Sequence, residues 1–466
     1  VTSGIQNAIN SGADSIIIPY LGIDSIWNSG PLLIKNKKDL EIILEPGVVL
    51  KSKSGSFFNK YEAFITLNDC HNIKISGKNA EIRMLKDEYS DEGQWRHGIS
   101  ILSSDSIEIL GVKISSTGGD GIYIGSGQDS VIYCSNISIH EVIADRNARN
   151  GISVISCRNL LIENCEITNT GKGNRPNNSS NGPWAGIDLE PNHEYELLEN
   201  ILINNCIFRQ NRGAGILFAH GAFNNDITIT NNQITNNRVG ISLVGRQRGN
   251  TGQMSFKNNR ISGESDCGFY ILNWVHNDIS VNINTCTIDV QNITFPVKLI
   301  IGDKLKTPLV FGNIVFNETR FENVADLCLV YLEGIDSVNY FNGISLTNSV
   351  IINKDKSHDF LLGKGNTNSY YENKSVSGAN IFCVIDKNKL VMNHIPNPVS
   401  DKFQISFNSP NQIDLMIYDS SGRLVLTKSV KNGDYVDSQN LISGKYVIVG
   451  NDSLNRRTAS DIMIKM

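Results

Sequence analysis

The chain has 466 residues, 40% of them apolar and 19% charged, with a net charge of −5 and an isoelectric point near 6.0. That apolar share supplies a core, and the low charge excludes a disordered chain or a coiled coil. The acidic balance argues against a nucleic-acid partner, and no apolar run of about eighteen residues is present to form a transmembrane helix.

The chain opens at Val1 rather than at an initiator Met, and is read as a mature form without its signal peptide. Ile5, Ala8 and Ile9 fall on one face of a predicted short helix, followed by the strand Ser15-Ile16-Ile17-Ile18. Such a helix suits the open end of a stacked array, which needs a cap.

From about residue 98 a Gly-Ile-x-apolar strand recurs. It reads Gly98-Ile99-Ser100-Ile101, Gly121-Ile122-Tyr123-Ile124, Gly151-Ile152-Ser153-Val154, Gly186-Ile187-Asp188-Leu189, Gly215-Ile216-Leu217-Phe218 and Gly240-Ile241-Ser242-Leu243. A second strand type ends in Asn-Cys or Asn-Asn, at Asn164-Cys165, Asn205-Cys206, Asn231-Asn232 and Asn258-Asn259, with Cys286 continuing the series. The period is roughly 23 to 35 residues, as in arrays built from one supersecondary unit per turn. Apolar and polar residues alternate along these strands, and no long amphipathic helix separates them, which excludes a βαβ sheet.

Stacked turns place like residues in columns. Val142, Cys165, Cys206, Asn232, Asn259 and Cys286 share one. Inward Asn side chains form a hydrogen-bonded ladder there, and Cys fills the same slot as a small hydrophobe. The nine Cys, with no CxxC pair, are therefore expected as thiols.

The helix, the first strand and the repeats together resemble the pectate-lyase-like right-handed parallel β-helix superfamily over about residues 1–380. The expected fold is all-β: a right-handed parallel β-helix with an N-terminal capping helix over residues 1–385, plus a small C-terminal antiparallel β-sandwich over residues 392–466. The resemblance implies work on a carbohydrate polymer.

The outward positions of the Gly-Ile strands carry the candidate chemistry. Successive x positions give Ser100, Tyr123, Ser153, Asp188, Leu217 and Ser242, with Glu190 on the same face as Asp188. The residues preceding each Gly add Arg96 and His97, Asp120, Arg149 and Asn150, and Trp184. His193 follows Glu190, while His220 and Arg246 follow later strands. Asp120, Asp188 and Glu190 are the expected catalytic carboxylates. Arg96, His97, Tyr123, Arg149, Asn150, Trp184, His193, His220 and Arg246 are the expected substrate contacts, with Trp184 and Tyr123 stacking on sugar rings.

Alternate residues on a strand lie about 6.5–7 Å apart at Cα. That suits an inverting glycoside hydrolase better than a retaining one. Two carboxylates at that spacing repel, and one takes a raised pKa, as an acid–base pair requires. An acidic pair spaced by one residue on a β-helix strand also resembles the layout of iota-carrageenases. Loops over Gly171–Pro183 and Pro191–Glu196 are expected to wall the cleft.

No cofactor is expected for a hydrolase. A second reading is a polysaccharide lyase acting on a uronic acid, with Ca²⁺ held by the three carboxylates and Arg side chains pairing with acidic groups. A third is a non-catalytic glycan-binding surface protein.

Past Ile395-Pro396-Asn397-Pro398 the repeat stops and a new strand series begins. Its Pro-Asn-Pro opening, Ile417-Tyr418-Asp419 with Gly422-Arg423, Gly444-Lys445-Tyr446 and basic end resemble the C-terminal sorting domain of the type nine secretion system of Bacteroidetes. That resemblance implies the secretion machinery as a partner and a secreted or outer-surface location. The protein is expected to act as a monomer, with no nucleic-acid partner.

Overall fold

The computed structural model describes residues 1–22, 26–89, 95–127, 131–171, 182–193, 195–219, 226–245, 252–275, 280–289, 291, 295–302, 310–324, 330–333, 340–347, 349–353, 359–361, 382–384, 392–395, 399–407, 411–452 and 457–465. Three parallel sheets of 12, 13 and 12 strands run the length of the solenoid, and each coil contributes one strand to each sheet. The exception is the last strand of the second sheet, Asp359–Leu361, which pairs antiparallel with Val350–Asn353. The N-terminal helix, Thr2–Asn10, buries Ile5 and Ile9 against the first coil. Gln6 closes the edge of that coil: its amide donates to the Leu33 carbonyl at 2.8 Å, and its carbonyl accepts the Leu33 N–H at 3.0 Å.

Both sequence repeats have a physical cause. In the Gly-Ile strands, the glycine lies against the carbonyl of the next coil's glycine. A Cβ on Gly121 would stand 2.5 Å from Gly151 O, and one on Gly151 would stand 2.6 Å from Gly186 O, so no larger residue fits. In the Asn-Cys and Asn-Asn corners, the first residue takes the left-handed conformation that turns the chain. Asn164, Asn205, Asn231 and Asn258 have φ between 51° and 58°. The second residue points inward. The amide of Asn232 donates to Asn259 Oδ1 at 2.9 Å and to the Ile203 carbonyl at 3.1 Å. Cys165, Cys206 and Cys286 occupy the same column, and they, with Cys70, Cys134, Cys157 and Cys267, are buried free thiols.

Inside the solenoid, Ile, Leu and Val from all three sheets form one continuous core, and Phe218, Phe256, Phe269 and Phe316 add a ladder of edge-to-face rings at 5.8–6.0 Å. The C-terminal strands build a separate core in two antiparallel sheets. One holds Met392–Ile395, Lys402–Phe407 and Tyr435–Asp437; the other holds Leu424–Val430, Ile413–Tyr418, Gly444–Asp452 and Arg457–Lys465. The Asp-x-x-Gly-Arg segment is a turn held by one carboxylate. Asp419 Oδ1 accepts the N–H groups of Ser421 and Arg423, both at 3.0 Å, and Oδ2 accepts Arg423 Nε at 3.1 Å.

Candidate active site

The third sheet sets the register of the site. Ser100, Tyr123, Ser153, Asp188, Leu217 and Ser242 lie side by side on successive strands. Ile187 and Leu189 belong to the interior core, so Asp188 between them faces outward. Beyond Asp188 that outer face turns apolar, and Ala185, Ala214, Leu217, Ala219, Val239 and Cys267 form a cluster of their own.

Arg149 is the centre of the polar group. It donates to Asp120 Oδ2 at 3.0 Å, and its other terminal nitrogen lies 3.6 Å from Asp188 Oδ2 and 3.5 Å from Glu190 Oε2. Asn150 ties the same carboxylates from the backbone side. Its N–H donates to Asp120 Oδ1 at 2.9 Å and its side-chain amide to Asp188 Oδ2 at 2.9 Å. The Asn150 carbonyl oxygen in turn accepts the Ala185 N–H at 2.9 Å. His97 closes the other end. Its Nδ1 accepts the Asp120 N–H at 3.1 Å, and its ring stacks on Tyr123 with centroids 4.7 Å apart.

Burial sets the protonation states. Asp188 is 0% exposed. Its Oδ1 has no hydrogen-bond partner. Burial first and the Glu190 charge second push the Asp188 carboxyl well above the usual range. Burial lowers His97 to about 4 against the pull of Asp120, so the ring is neutral and its Nδ1 is free to accept. Burial works against the charge of Arg149, but Asp120, Asp188 and Glu190 outweigh it and hold the guanidinium more basic than usual. Tyr123 is pushed up by burial and by Asp120. Access is through the partly exposed members, with side-chain exposures of 15% for Arg149 and 17% for Glu190.

The structure thus brings together His97, Asp120, Tyr123, Arg149, Asn150, Asp188 and Glu190, with Ser153 bonded to Asn150 at 3.0 Å. Other expected contacts lie elsewhere. Arg96 is buried and lays its guanidinium 4.8 Å over the Tyr89 ring, with Nε donating to the Phe57 carbonyl. It packs a corner instead of facing the cleft. His193 stacks on Tyr195 at 5.1 Å on the exposed loop after Glu190. His220 and Arg246 lie outside the described residues, as do residues 172–181 of the expected loop.

The two rings expected to stack on sugars are engaged within the protein. Tyr123 lies on His97, and Arg212 stands 4.1 Å over Trp184. Trp184 also holds a φ of 57°, a conformation that a bulky residue rarely adopts and that marks special sites.

The sequence reading passed over the exposed ring of Tyr61 and the half-buried ring of Trp95, whose only sequence signal is that Trp95 directly precedes Arg96-His97.

Residues 64–251 match the family described as right handed beta helix region, and residues 394–465 match the secretion system C-terminal sorting domain. Over 276 residues the chain is 26% identical to the SPbeta prophage-derived uncharacterized protein YorA of Bacillus subtilis (strain 168), covering 49% of this chain and 44% of that protein. Over 199 residues it is 31% identical to the uncharacterized protein YclG of the same strain, covering 39% of this chain and 32% of that protein. The chain therefore spans less than half the length of both relatives.

Among solved structures, PfbA, a surface adhesin of Streptococcus pneumoniae, aligns with a TM-score of 0.51 at 13% identity, covering 92% of this chain and 96% of that one. That likeness shows the fold. A family 28 exopolygalacturonase of Yersinia enterocolitica aligns with a TM-score of 0.45 at 14% identity, covering 74% and 72%. The sorting domain marks export by the type IX system, to the outside of the cell or to its surface. The chain thus carries a right handed beta helix region followed by a type IX C-terminal sorting domain.

Proposed function

We propose that this chain is a secreted glycoside hydrolase acting on a polysaccharide, with Asp188 and Glu190 as its acid–base pair. The observation that carries the reading is that these two carboxyls meet one guanidinium on the outward face of the third sheet, Arg149 lying 3.6 Å from Asp188 and 3.5 Å from Glu190, while burial and the Glu190 charge raise the Asp188 carboxyl. A protonated and an ionised carboxyl side by side are what glycosidic cleavage uses. Asp188, the protonated member, gives its proton to the leaving glycosidic oxygen as that oxygen's bond to the anomeric carbon breaks. Glu190, the partly exposed member, takes a proton from the attacking water, whose oxygen forms the new bond to the anomeric carbon.

Asp120 has a different part. Both of its oxygens are engaged, by Asn150 and Arg149, so it positions Arg149 and His97. Arg149 keeps the pair from ionising without a counter-charge.

The Arg149 guanidinium stands among the three carboxylates as their cation, which favours the hydrolase reading over a lyase that would hold Ca²⁺ there. The glycan-binding reading without catalysis is favoured by one observation, the complete burial of Asp120 and Asp188.

A panel of polygalacturonate, alginate, ι-carrageenan and mixed-linkage β-glucan, assayed for reducing ends and for ultraviolet absorbance, separates the three. A hydrolase releases reducing ends without absorbance. A lyase produces absorbance. A binder produces neither.

A further inference from the structure

We propose that Tyr61, Trp95 and Lys60 form a sugar-binding platform beside the carboxyl cluster, holding one pyranose ring of a polysaccharide chain. The inference rests on the glycan-directed reading above and adds a place where the chain is gripped.

Tyr61 and Trp95 come from consecutive coils and stand in register. Each lies four residues before a paired strand position, Ile65 opposite Ile99. Their rings meet at 4.8 Å between centroids, tilted by 37°. Tyr61 is 60% exposed, so the pair is not core packing. Lys60 Nζ lies 5.2 Å from one ring centroid and 5.3 Å from the other.

Single exposed aromatics are ordinary on protein surfaces. A tilted aromatic pair, Tyr61 exposed and Trp95 half-buried, with a cation over both rings is a different object. The apolar C–H face of a pyranose ring covers such a surface, while its hydroxyl oxygens accept hydrogen bonds from an ammonium group.

The platform is continuous with the cluster. The Trp95 carbonyl accepts the His97 N–H at 2.9 Å. His97 in turn stacks on Tyr123 and lies 3.4 Å from Asp120. Trp95 precedes the coil of Asp120 by one step and that of Asp188 by three. At about 4.8 Å per coil, the platform stands roughly 14 Å along the solenoid from Asp188. A ligand that reaches both is a chain of several sugars, lying along the sheet. Tyr123 and Trp184 have ring faces covered by His97 and Arg212, whereas Tyr61 keeps 60% of its surface open.

The test is affinity electrophoresis through gels containing each of the four polymers named above. The full chain carries Asp188→Asn, so that no polymer is consumed. It is compared with the same chain also carrying Tyr61→Ala and Trp95→Ala, and with one carrying Tyr61→Phe and Trp95→Tyr. The expected result is retardation of the first protein by at least one polymer, binding about tenfold weaker in the alanine variant, and near-full binding with the substituted rings. Melting temperatures check that the variants fold.

Equal retardation of the first two proteins overturns the platform, as does failure of every polymer to retard the first. The hydrolase reading fails separately. Binding through the rings with no turnover by the unsubstituted chain keeps the platform and removes the hydrolase. Turnover with equal retardation does the reverse.

Discussion

The side-chain amide of Asn150 donates to Asp188 Oδ2 at 2.9 Å, across one coil of the solenoid. The same residue's backbone N–H holds Asp120, one coil on the other side. A single asparagine therefore spans three coils and fixes two carboxylates relative to each other. Arg149 supplies the charge that makes this arrangement stable.

Removing that charge has a large expected effect. Arg149→Met leaves Asp120, Asp188 and Glu190 without their cation. Breaking a buried ion pair from one side costs about 3–5 kcal/mol. Thermal or urea unfolding measures the loss. Adding Asp120→Asn to the Met variant should recover part of it, because one unpaired charge disappears.

Glu264 gives a pH prediction. It is buried at the end of a polar column, with Asn237 donating to Oε1 at 3.1 Å and Oε2 without a partner. Burial raises its carboxyl from 4.5 to about 8. Between those values the folded chain keeps a proton that the unfolded chain has released. This contribution to stability is therefore fully present below 4.5 and is lost as pH rises to about 8. Glu264→Gln cannot ionise, so its melting temperature relative to the parent should climb across that window and level off beyond it. A constant difference between the two proteins would refute the assignment.

The asparagine ladder should be worth more than the thiols in the same column. Asn259 accepts both the backbone and side-chain N–H of Asn232, at 3.0 and 2.9 Å, and donates to the Ile229 carbonyl at 2.8 Å. Asn259→Ala strands these groups in the core at about 1–3 kcal/mol each. Cys206→Ala removes a small, weakly bonded side chain, and about 1 kcal/mol is expected. Paired urea titrations give the comparison.

The solenoid was legible because stacking forces like residues into columns. Gly121, Gly151 and Gly186 repeat because a Cβ would strike the next coil's carbonyl. Asn232 and Asn259 repeat because each satisfies the other. The grouping of Asp120, Arg149, Asn150, Asp188 and Glu190 followed from the same columns.

What lay beyond reach was decided by side-chain direction. Arg96 precedes its glycine as Arg149 does, yet turns to Tyr89 instead of the carboxylates. Tyr61 and Trp95 meet only because consecutive coils bring two otherwise irregular corners into register.

The most direct test of the acid–base pair is reducing-end release from the polymer panel by the parent, by Asp188→Asn and by Glu190→Gln. The account predicts turnover by the parent and a loss of at least about a hundredfold in each variant, with melting curves that still show a folded solenoid. Full activity in both folded variants would contradict it.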